Sequence, residues 1–251
     1  MRKNIYNFAA KIEEYQKIFD KTNDKGTAGD SPLNCSFEIN NFKQYTDKFT
    51  EEICKKSTYY LGEIEIKTNE PQYIIDGCKY FCYWLQVEVL KDETLYSNIL
   101  KLYQDVLKAY EYGTSNAELL NYLNIFSEHH IKNFRDMVNM YKNFYNFKNN
   151  RVENGKDNCY FANECVSLYE KNIKVCKAGS DYDFCDELDN FRDEYNKYMK
   201  QNDQCKDLQK ILPSYRTYDP IVITSIPCVI ILVSCCIFFL YKVIKIYFLN
   251  I

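Results

Sequence analysis

Residues Ile221–Tyr241 form a run of twenty-one residues without a charge, and this run limits the possible fold more than any other feature. An α-helix rises about 1.5 Å per residue, so the run would reach roughly 30 Å, the hydrocarbon thickness of a bilayer. Pro227 lies inside the run, and a membrane-embedded helix tolerates proline when neighbouring groups satisfy the freed carbonyl. The sequence therefore predicts one transmembrane helix over residues 220–241; the alternative is a fully buried core helix.

Charges on either side of the run predict its orientation. Asp219 precedes the run, and Lys242 and Lys245 follow it. Because positive residues collect on the cytoplasmic side, residues 242–251 are predicted to be a short cytoplasmic tail and residues 1–219 an external domain.

The start of the chain supports a different topology. A secretory signal needs an apolar stretch of about seven residues or more, and Lys11, Glu13 and Glu14 interrupt the N-terminal sequence before one accumulates. A chain with a late apolar segment and no signal could be tail-anchored, with its bulk in the cytosol. The number and spacing of the cysteines distinguish between the two topologies.

Nine of the twelve cysteines lie before the uncharged run. That density indicates an oxidising compartment and a disulfide framework. Zinc sites favour paired C-x-x-C motifs, and none occurs here, so disulfides are favoured over metal. Free buried thiols in a cytosolic domain remain the third interpretation. Nine is odd, so at least one cysteine is free or pairs between chains. The disulfide candidates are Cys35, Cys54, Cys78, Cys82, Cys159, Cys165, Cys176, Cys185 and Cys205.

The rest of the chain has the composition and periodicity of long helices. Glycine (7) and proline (5) are scarce, which disfavours a β domain rich in tight turns. Apolar residues recur with a period of 3.6 almost throughout, so the predicted fold class is mostly α. Pro71 is expected to open a helix, and Ser115–Glu118 has the pattern of a capping box that would start the longest one. The polar stretch 149–157 is the candidate sub-boundary within residues 1–219.

Helical spacing also constrains the cysteine pairs. Cys78 and Cys82 are four residues apart and share one helix face, where neighbouring Cβ atoms are too distant for a disulfide. Each is therefore expected to bridge to another segment, with Cys35 and Cys54 as the nearest upstream candidates. The later cysteines surround one turn between helices and could link that helix pair.

Catalytic chemistry is almost absent from the sequence. His129 and His130 are adjacent, so their side chains point about 100° apart on a helix and cannot bind one metal together. No nucleophile elbow, phosphate-binding loop, dinucleotide fingerprint or zinc-protease motif occurs. The net charge of −3 provides no broad basic surface for nucleic acid. We expect no enzymatic activity, no catalytic residues, no cofactor, no metal, no nucleic-acid partner and no small-molecule substrate.

Several segments resemble the Plasmodium interspersed repeat (PIR) superfamily, the vir-like variant antigens of malaria parasites. Cys78–Leu85, with the sequence CKYFCYWL, is similar to the C-x-Y-x-x-Y-W-L helix of that family, and Cys35 and Cys54 lie upstream as expected. Residues 165–176 and 184–195 resemble its second cysteine-helix block. The resemblance covers nearly the whole chain.

The resemblance implies a helical, disulfide-linked ectodomain exported without a conventional signal peptide to or near the surface of the infected red cell. It also implies immune variation or adhesion to host-cell surface proteins, with antibodies as further partners and no catalysis. This chain departs from many relatives because only ten residues, 242–251, follow the apolar run, and they are mainly apolar. A membrane-anchored variant surface antigen is therefore the first hypothesis. A tail-anchored, cytosol-facing helical adaptor of an intracellular membrane is the second.

Overall fold

A computed structural model describes residues 4–24, 35–67, 69–91, 95–115, 117–152, 155–179, 181–202, 204–205, 208–216 and 230–241. The chain divides into two compact units, Met1–Pro213 and Ser214–Ile251. The described part of the first unit is mostly α-helical. Its α-helices are α1 (Ile12–Asp24), α2 (Cys35–Phe42), α3 (Glu51–Glu65), α4 (Pro71–Trp84), α5 (Tyr96–Thr114), α6 (Glu128–Lys148), α7 (Asn158–Lys177) and α8 (Tyr182–Met199).

The described part of the first unit also contains three short elements. Residues Asn7–Lys11 and Leu119–Tyr122 form 3-10 helices, and Leu85–Val89 form one turn of π-helix directly after α4. The division into units falls after Pro213, and the polar stretch 149–157 is the connection between α6 and α7 within the first unit.

The predicted transmembrane helix is wrong. Over the residues that the structure describes, no helix combines the length and the apolar character that crossing a bilayer requires. Within the predicted span the structure describes residues 230–241, which are α-helical. Residues 221–229 of that span, and the predicted tail 242–251, lie outside the described residues. The membrane localisation inferred from the span is wrong for the same reason.

Helix α4 lies at the centre of the first unit. Ten of its fourteen residues are buried, and it contacts α1, α3, α5 and α6. Pro71 opens the helix, as the sequence predicts, because its fixed φ suits the first helical turn. Gly77 allows a close approach to α3, since a Cβ atom there would lie only 3.0 Å from Cγ2 of Ile64. The small residue therefore sets the distance between α3 and α4.

Stacked aromatic rings fill the space between α1, α3 and α4. The Phe19 ring lies between those of Tyr60 and Trp84, with both pairs of ring centroids 4.2 Å apart and interplanar angles of 10° and 15°. Phe81 continues the group with near-parallel contacts to Tyr60 and Trp84. Such pairs contribute about 0.5–1.5 kcal/mol each beyond the area that they bury.

Helices α7 and α8 form a hairpin that packs on α6 and is cross-linked at both ends. The Cys176–Cys185 disulfide closes the turn, and Cys159–Cys205 joins the start of α7 to the segment after α8. The chain then folds back along α8, where the Tyr195 hydroxyl donates to the Gln209 carbonyl at 2.8 Å. The Asn196 side chain of α8 donates to the Leu212 carbonyl and accepts from the Leu212 amide, so side chains of α8 hold the backbone of this non-helical segment.

The capping box predicted at Ser115–Glu118 is also wrong. Ser115 adopts a left-handed conformation (φ 57°) at the end of α5, and the long helix α6 begins later, after Ser127. The Glu111 carboxylate accepts a 2.7 Å hydrogen bond from the Leu119 amide and so replaces the predicted cap. A side chain of the preceding helix thus turns this segment into a 3-10 helix.

Two buried carboxylates accept hydrogen bonds in the core, one within α4 and one between α6 and α8. The Asp76 carboxylate accepts hydrogen bonds from Gln72 and, at 3.1 Å, from the Lys79 ammonium, and all three residues belong to α4. The Glu187 carboxylate on α8 accepts from the Tyr141 hydroxyl on α6 at 2.8 Å. Burial raises the pKa of Glu187, while hydrogen bonds from Asn190 and Tyr141 oppose that rise. This carboxyl consequently holds its proton to a higher pH in the folded protein.

Candidate functional site

Six of the nine predicted disulfide candidates form three disulfides. Cys35 and Cys54 join α2 to α3, so they pair with each other and not with α4. The α7–α8 hairpin contains the other two, Cys159–Cys205 and Cys176–Cys185. The bridges lie at helix ends, where they hold chain segments that would otherwise separate.

Cys78, Cys82 and Cys165 are buried free thiols. The expectation that Cys78 and Cys82 bridge to other segments is therefore wrong. Both side chains are buried, and the two upstream candidates, Cys35 and Cys54, are joined to each other. Burial raises the pKa of Cys78 to about 12 and that of Cys82 well above its usual range. These thiols stay protonated at neutral pH and therefore have neither nucleophilic nor metal-binding character.

The two histidines serve separate structural contacts. Nδ1 of His130 accepts a 3.0 Å hydrogen bond from the Ser127 amide, which completes a capping box at the start of α6. Nε2 of His129 lies 3.5 Å from Oδ2 of Asp181, a carboxylate that also accepts from the Tyr6 hydroxyl at 2.6 Å. A serine, a histidine and an aspartate are thus close together, but the histidine beside the serine is not the one beside the aspartate.

That arrangement cannot work as a catalytic triad. A general base needs a free lone pair facing the nucleophile and a carboxylate on its other nitrogen. Here the Nδ1 lone pair of His130 already accepts a backbone N–H, and the Ser127 hydroxyl lies 3.2 Å from the same nitrogen. Burial also lowers the pKa of His130 and keeps its ring neutral. Within the described ranges, no group of three or more histidine, cysteine or acidic side chains is arranged to bind a metal.

A pocket beside α1 is the best candidate for a binding site. We call it the α1 pocket; its volume is about 360 Å³, within the usual range for small-ligand sites. Elements α1, α3, α4, the π-helical turn and α6 all contribute to its wall. The lining residues are Ile12, Gln16, Phe19, Asp20, Ile53, Lys56, Tyr80, Tyr83, Trp84, Glu88, Val89 and Lys142.

The π-helical turn shapes one side of this pocket. The Leu90 amide donates to the Leu85 carbonyl at 2.9 Å, five residues back, so one extra residue is inserted where α4 would have continued. Glu88 and Val89 of this turn line the pocket together with the aromatic residues of α4. Single π-helical turns are uncommon and are frequent at functional sites, which makes this end of α4 a candidate on backbone grounds as well.

Four polar residues of the wall, Asp20, Tyr80, Trp84 and Glu88, differ from Lys56 and Tyr83, which have partners. Over the described part of the chain, Tyr80 and Trp84 make no side-chain hydrogen bond although both are buried, and Asp20 and Glu88 make no ion pair. Burial raises the pKa of Tyr80 well above its usual range, and the nearby charges of Glu88 and Asp20 raise it further. The phenol therefore stays protonated, next to two carboxylates that repel additional negative charge.

A larger cleft of about 1050 Å³ shares Ile12, Gln16, Asp20 and Lys142 with the α1 pocket. Charges of both signs line it, and some are already paired, such as Lys148 with Glu194 at 2.8 Å. Because basic and acidic side chains both line its wall, the cleft selects no single ligand charge. The smaller pocket is chemically more specific.

The sequence assigned these pocket residues to the core or left them unmarked. Tyr80, Tyr83 and Trp84 look like ordinary core residues because helical spacing alone cannot show that a π-helical turn opens a cavity beside them. One signal was present: α4 has more large aromatic side chains than a single helix face can bury.

Comparison of the chain with protein-family models, with curated proteins and with solved structures finds no match.

Proposed function

We propose that the protein acts by binding a protein partner and not by catalysis, as a helical, disulfide-linked module of the variant-antigen type that its sequence resembles. The observation that carries this proposal is the α1 pocket, where the buried side chains of Tyr80 and Trp84 make no hydrogen bond within the described chain. Ligand pockets are typically lined by aromatic side chains with a few polar groups that orient the ligand, and the Tyr80 hydroxyl and the Trp84 indole can serve as such groups.

The arrangement of reactive side chains supports binding over catalysis. The described free thiols of the first unit are buried and protonated, and the histidine nearest to a serine serves as a helix cap. A nucleophile needs an activating base within hydrogen-bond reach, together with access to solvent. The thiols lack the access, and the serine lacks a free base.

The segment that carries the family resemblance also builds the pocket. Tyr80, Tyr83 and Trp84, within the CKYFCYWL sequence, form part of its wall, and the neighbouring helices α2 and α3 are linked by Cys35–Cys54. Host-cell surface proteins are the partner class that the resemblance suggests. Aromatic residues at the centre of a contact surface are typical of sites that dominate binding energy.

A binding assay with the full-length, oxidised chain tests the proposal. We expect saturable binding to red cells, to endothelial cells or to their isolated surface proteins, and loss of that binding after the three disulfides are reduced. The matched control is Cys78→Ala/Cys82→Ala, which removes two thiols but no disulfide and should retain binding. Failure of the oxidised chain to bind any of these, alongside strong recognition by immune serum, would mean that it is an antigen without an adhesive role.

A further inference from the structure

The rim of the α1 pocket carries an unbalanced negative charge. Asp20 on α1 and Glu88 on the π-helical turn have no ion-pair partner among the described residues. Of the two lysines in the wall, Lys56 is already paired with Glu52 at 2.8 Å. Lys142 alone remains to offset two carboxylates, so the local field favours a cationic ligand.

The floor of the pocket supplies a second, independent indication of a ligand. Tyr80 and Trp84 are only 4% and 8% exposed, and neither side chain makes a hydrogen bond within the described ranges. The Tyr80 hydroxyl can accept a hydrogen bond from a cation that lies between the carboxylates. The Trp84 indole N–H is a donor and can bind a main-chain carbonyl of the same ligand.

We propose that the α1 pocket binds one arginine side chain of a protein partner, held by the carboxylates of Asp20 and Glu88 above an aromatic floor. A guanidinium presents five N–H donors in a plane, which lets it bond two carboxylates and a phenol at once. It is also weakly hydrated and packs well against aromatic rings, so it enters such a site more readily than an ammonium does. This inference rests on the proposed binding function and specifies its ligand chemistry.

Tryptophan fluorescence can report ligand binding in the pocket, because Trp84 is the only tryptophan in the chain and it lines the pocket. The full-length, oxidised protein is titrated with N-acetyl-arginine amide while tryptophan fluorescence is recorded at constant ionic strength. N-acetyl-citrulline amide, which has nearly the same shape and no charge, is the matched probe. We expect a saturable fluorescence change with the arginine probe and at least tenfold weaker binding of the citrulline probe.

Two double variants assign the effect to the pocket. Asp20→Asn/Glu88→Gln should weaken binding of the arginine probe at least tenfold. Asp47→Asn/Glu170→Gln removes the same charge from exposed positions outside the pocket and should leave binding unchanged. Circular dichroism and thermal unfolding of each variant verify that it is folded.

Three results would overturn the inference: no saturable change with the arginine probe, equal binding of both probes, or unaltered binding by Asp20→Asn/Glu88→Gln. If the probe fails while the intact chain still binds cells saturably, the arginine site is wrong and the proposed function stands. If the probe binds while the cell assay fails, the pocket is real and the proposed cell-surface role is wrong.

Discussion

Helix α4 and the α7–α8 hairpin are held in place by different means. Ten of the fourteen residues of α4 are buried, against seven of the twenty in α7. The densely packed helix contains two cysteines that stay as thiols, whereas the hairpin is closed by a disulfide at each end. Cross-links thus occur where few side chains are buried, and packing suffices where many are.

The largest expected change in the free energy of unfolding comes from creating a cavity in the core around α4. Phe81→Ala removes a fully buried ring that contacts Tyr60, Trp84 and Tyr103, and should lower the free energy of unfolding by about 3–5 kcal/mol. Urea unfolding measures the change. Val175→Ala, at a half-exposed position on α7, is the control and should change stability by less than about 0.5 kcal/mol. A loss below about 1 kcal/mol for Phe81→Ala would contradict the role given to packing around α4.

The two disulfides of the hairpin should differ in how much they contribute to the free energy of unfolding. Cys159–Cys205 closes a loop of 46 residues and Cys176–Cys185 a loop of 9. Because a longer loop has more conformational entropy to lose, replacing the first pair by alanine should cost about 4 kcal/mol and the second about 2.5 kcal/mol. Urea unfolding of both double variants under oxidising conditions gives the comparison. The reverse order would show that chain entropy does not govern these bridges.

Removal of the buried thiols should have a smaller effect. Cys82→Ala leaves a cavity of about one methyl group in α4 and should cost about 1 kcal/mol. Cys165→Ala, at a fully buried position on α7, is the matched comparison in the other region. If the loss at Cys82 equalled that of a disulfide, the thiol would have a covalent partner that the structure does not contain.

The smallest expected effect is a pH dependence of the free energy of unfolding. It comes from Glu187, which lies between α6 and α8. Burial raises its pKa in the folded protein, so the folded state holds this proton to a higher pH than the unfolded chain, whose glutamate pKa is about 4.3. The free energy of unfolding should therefore fall as pH rises through the window between the two pKa values, and then level off.

Glu187→Gln should remove that fall. The glutamine keeps an acceptor for the Tyr141 hydroxyl, and the groups facing it, Asn190, Glu194 and Lys79, are unchanged. The variant should gain stability relative to the wild type from acid to neutral pH, as measured by urea unfolding. Glu170→Gln, at an exposed position, is the control. A stability difference between Glu187→Gln and the wild type that does not change with pH would contradict the raised pKa.

The sequence predicted the helices better than the connections between them. The start of α4 was predicted correctly because the fixed φ of Pro71 suits the first helical turn, whatever the residue packs against. The start of α6 was misplaced because Ser115 and Glu118 form a convincing local pattern, whereas the group that decides the conformation is Glu111, through a bond to the Leu119 amide. Apolar character likewise predicted a membrane span over residues 221–241, whereas no described helix is long and apolar enough to cross a bilayer.

The candidate site was harder to predict than the fold. Asp20 and Glu88 are far apart in sequence and line one pocket because α1 packs on α4, from which the π-helical turn continues. Nothing in residues 85–89 distinguishes a π-helical turn from a continued α-helix. The cysteines show the same limit: their number indicated disulfides, but the choice of pairs depends on which helix ends lie within reach.

Stepwise alkylation of the native, unreduced protein tests the contrast between the two regions most directly. Thiols are labelled first in buffer, then after denaturation, then after reduction, and each cysteine is assigned by peptide mass spectrometry. We predict that Cys78, Cys82 and Cys165 react only after denaturation, and that the six cysteines of the three disulfides react only after reduction. Label at Cys78 or Cys82 that appears only after reduction would contradict the conclusion that packing alone holds α4.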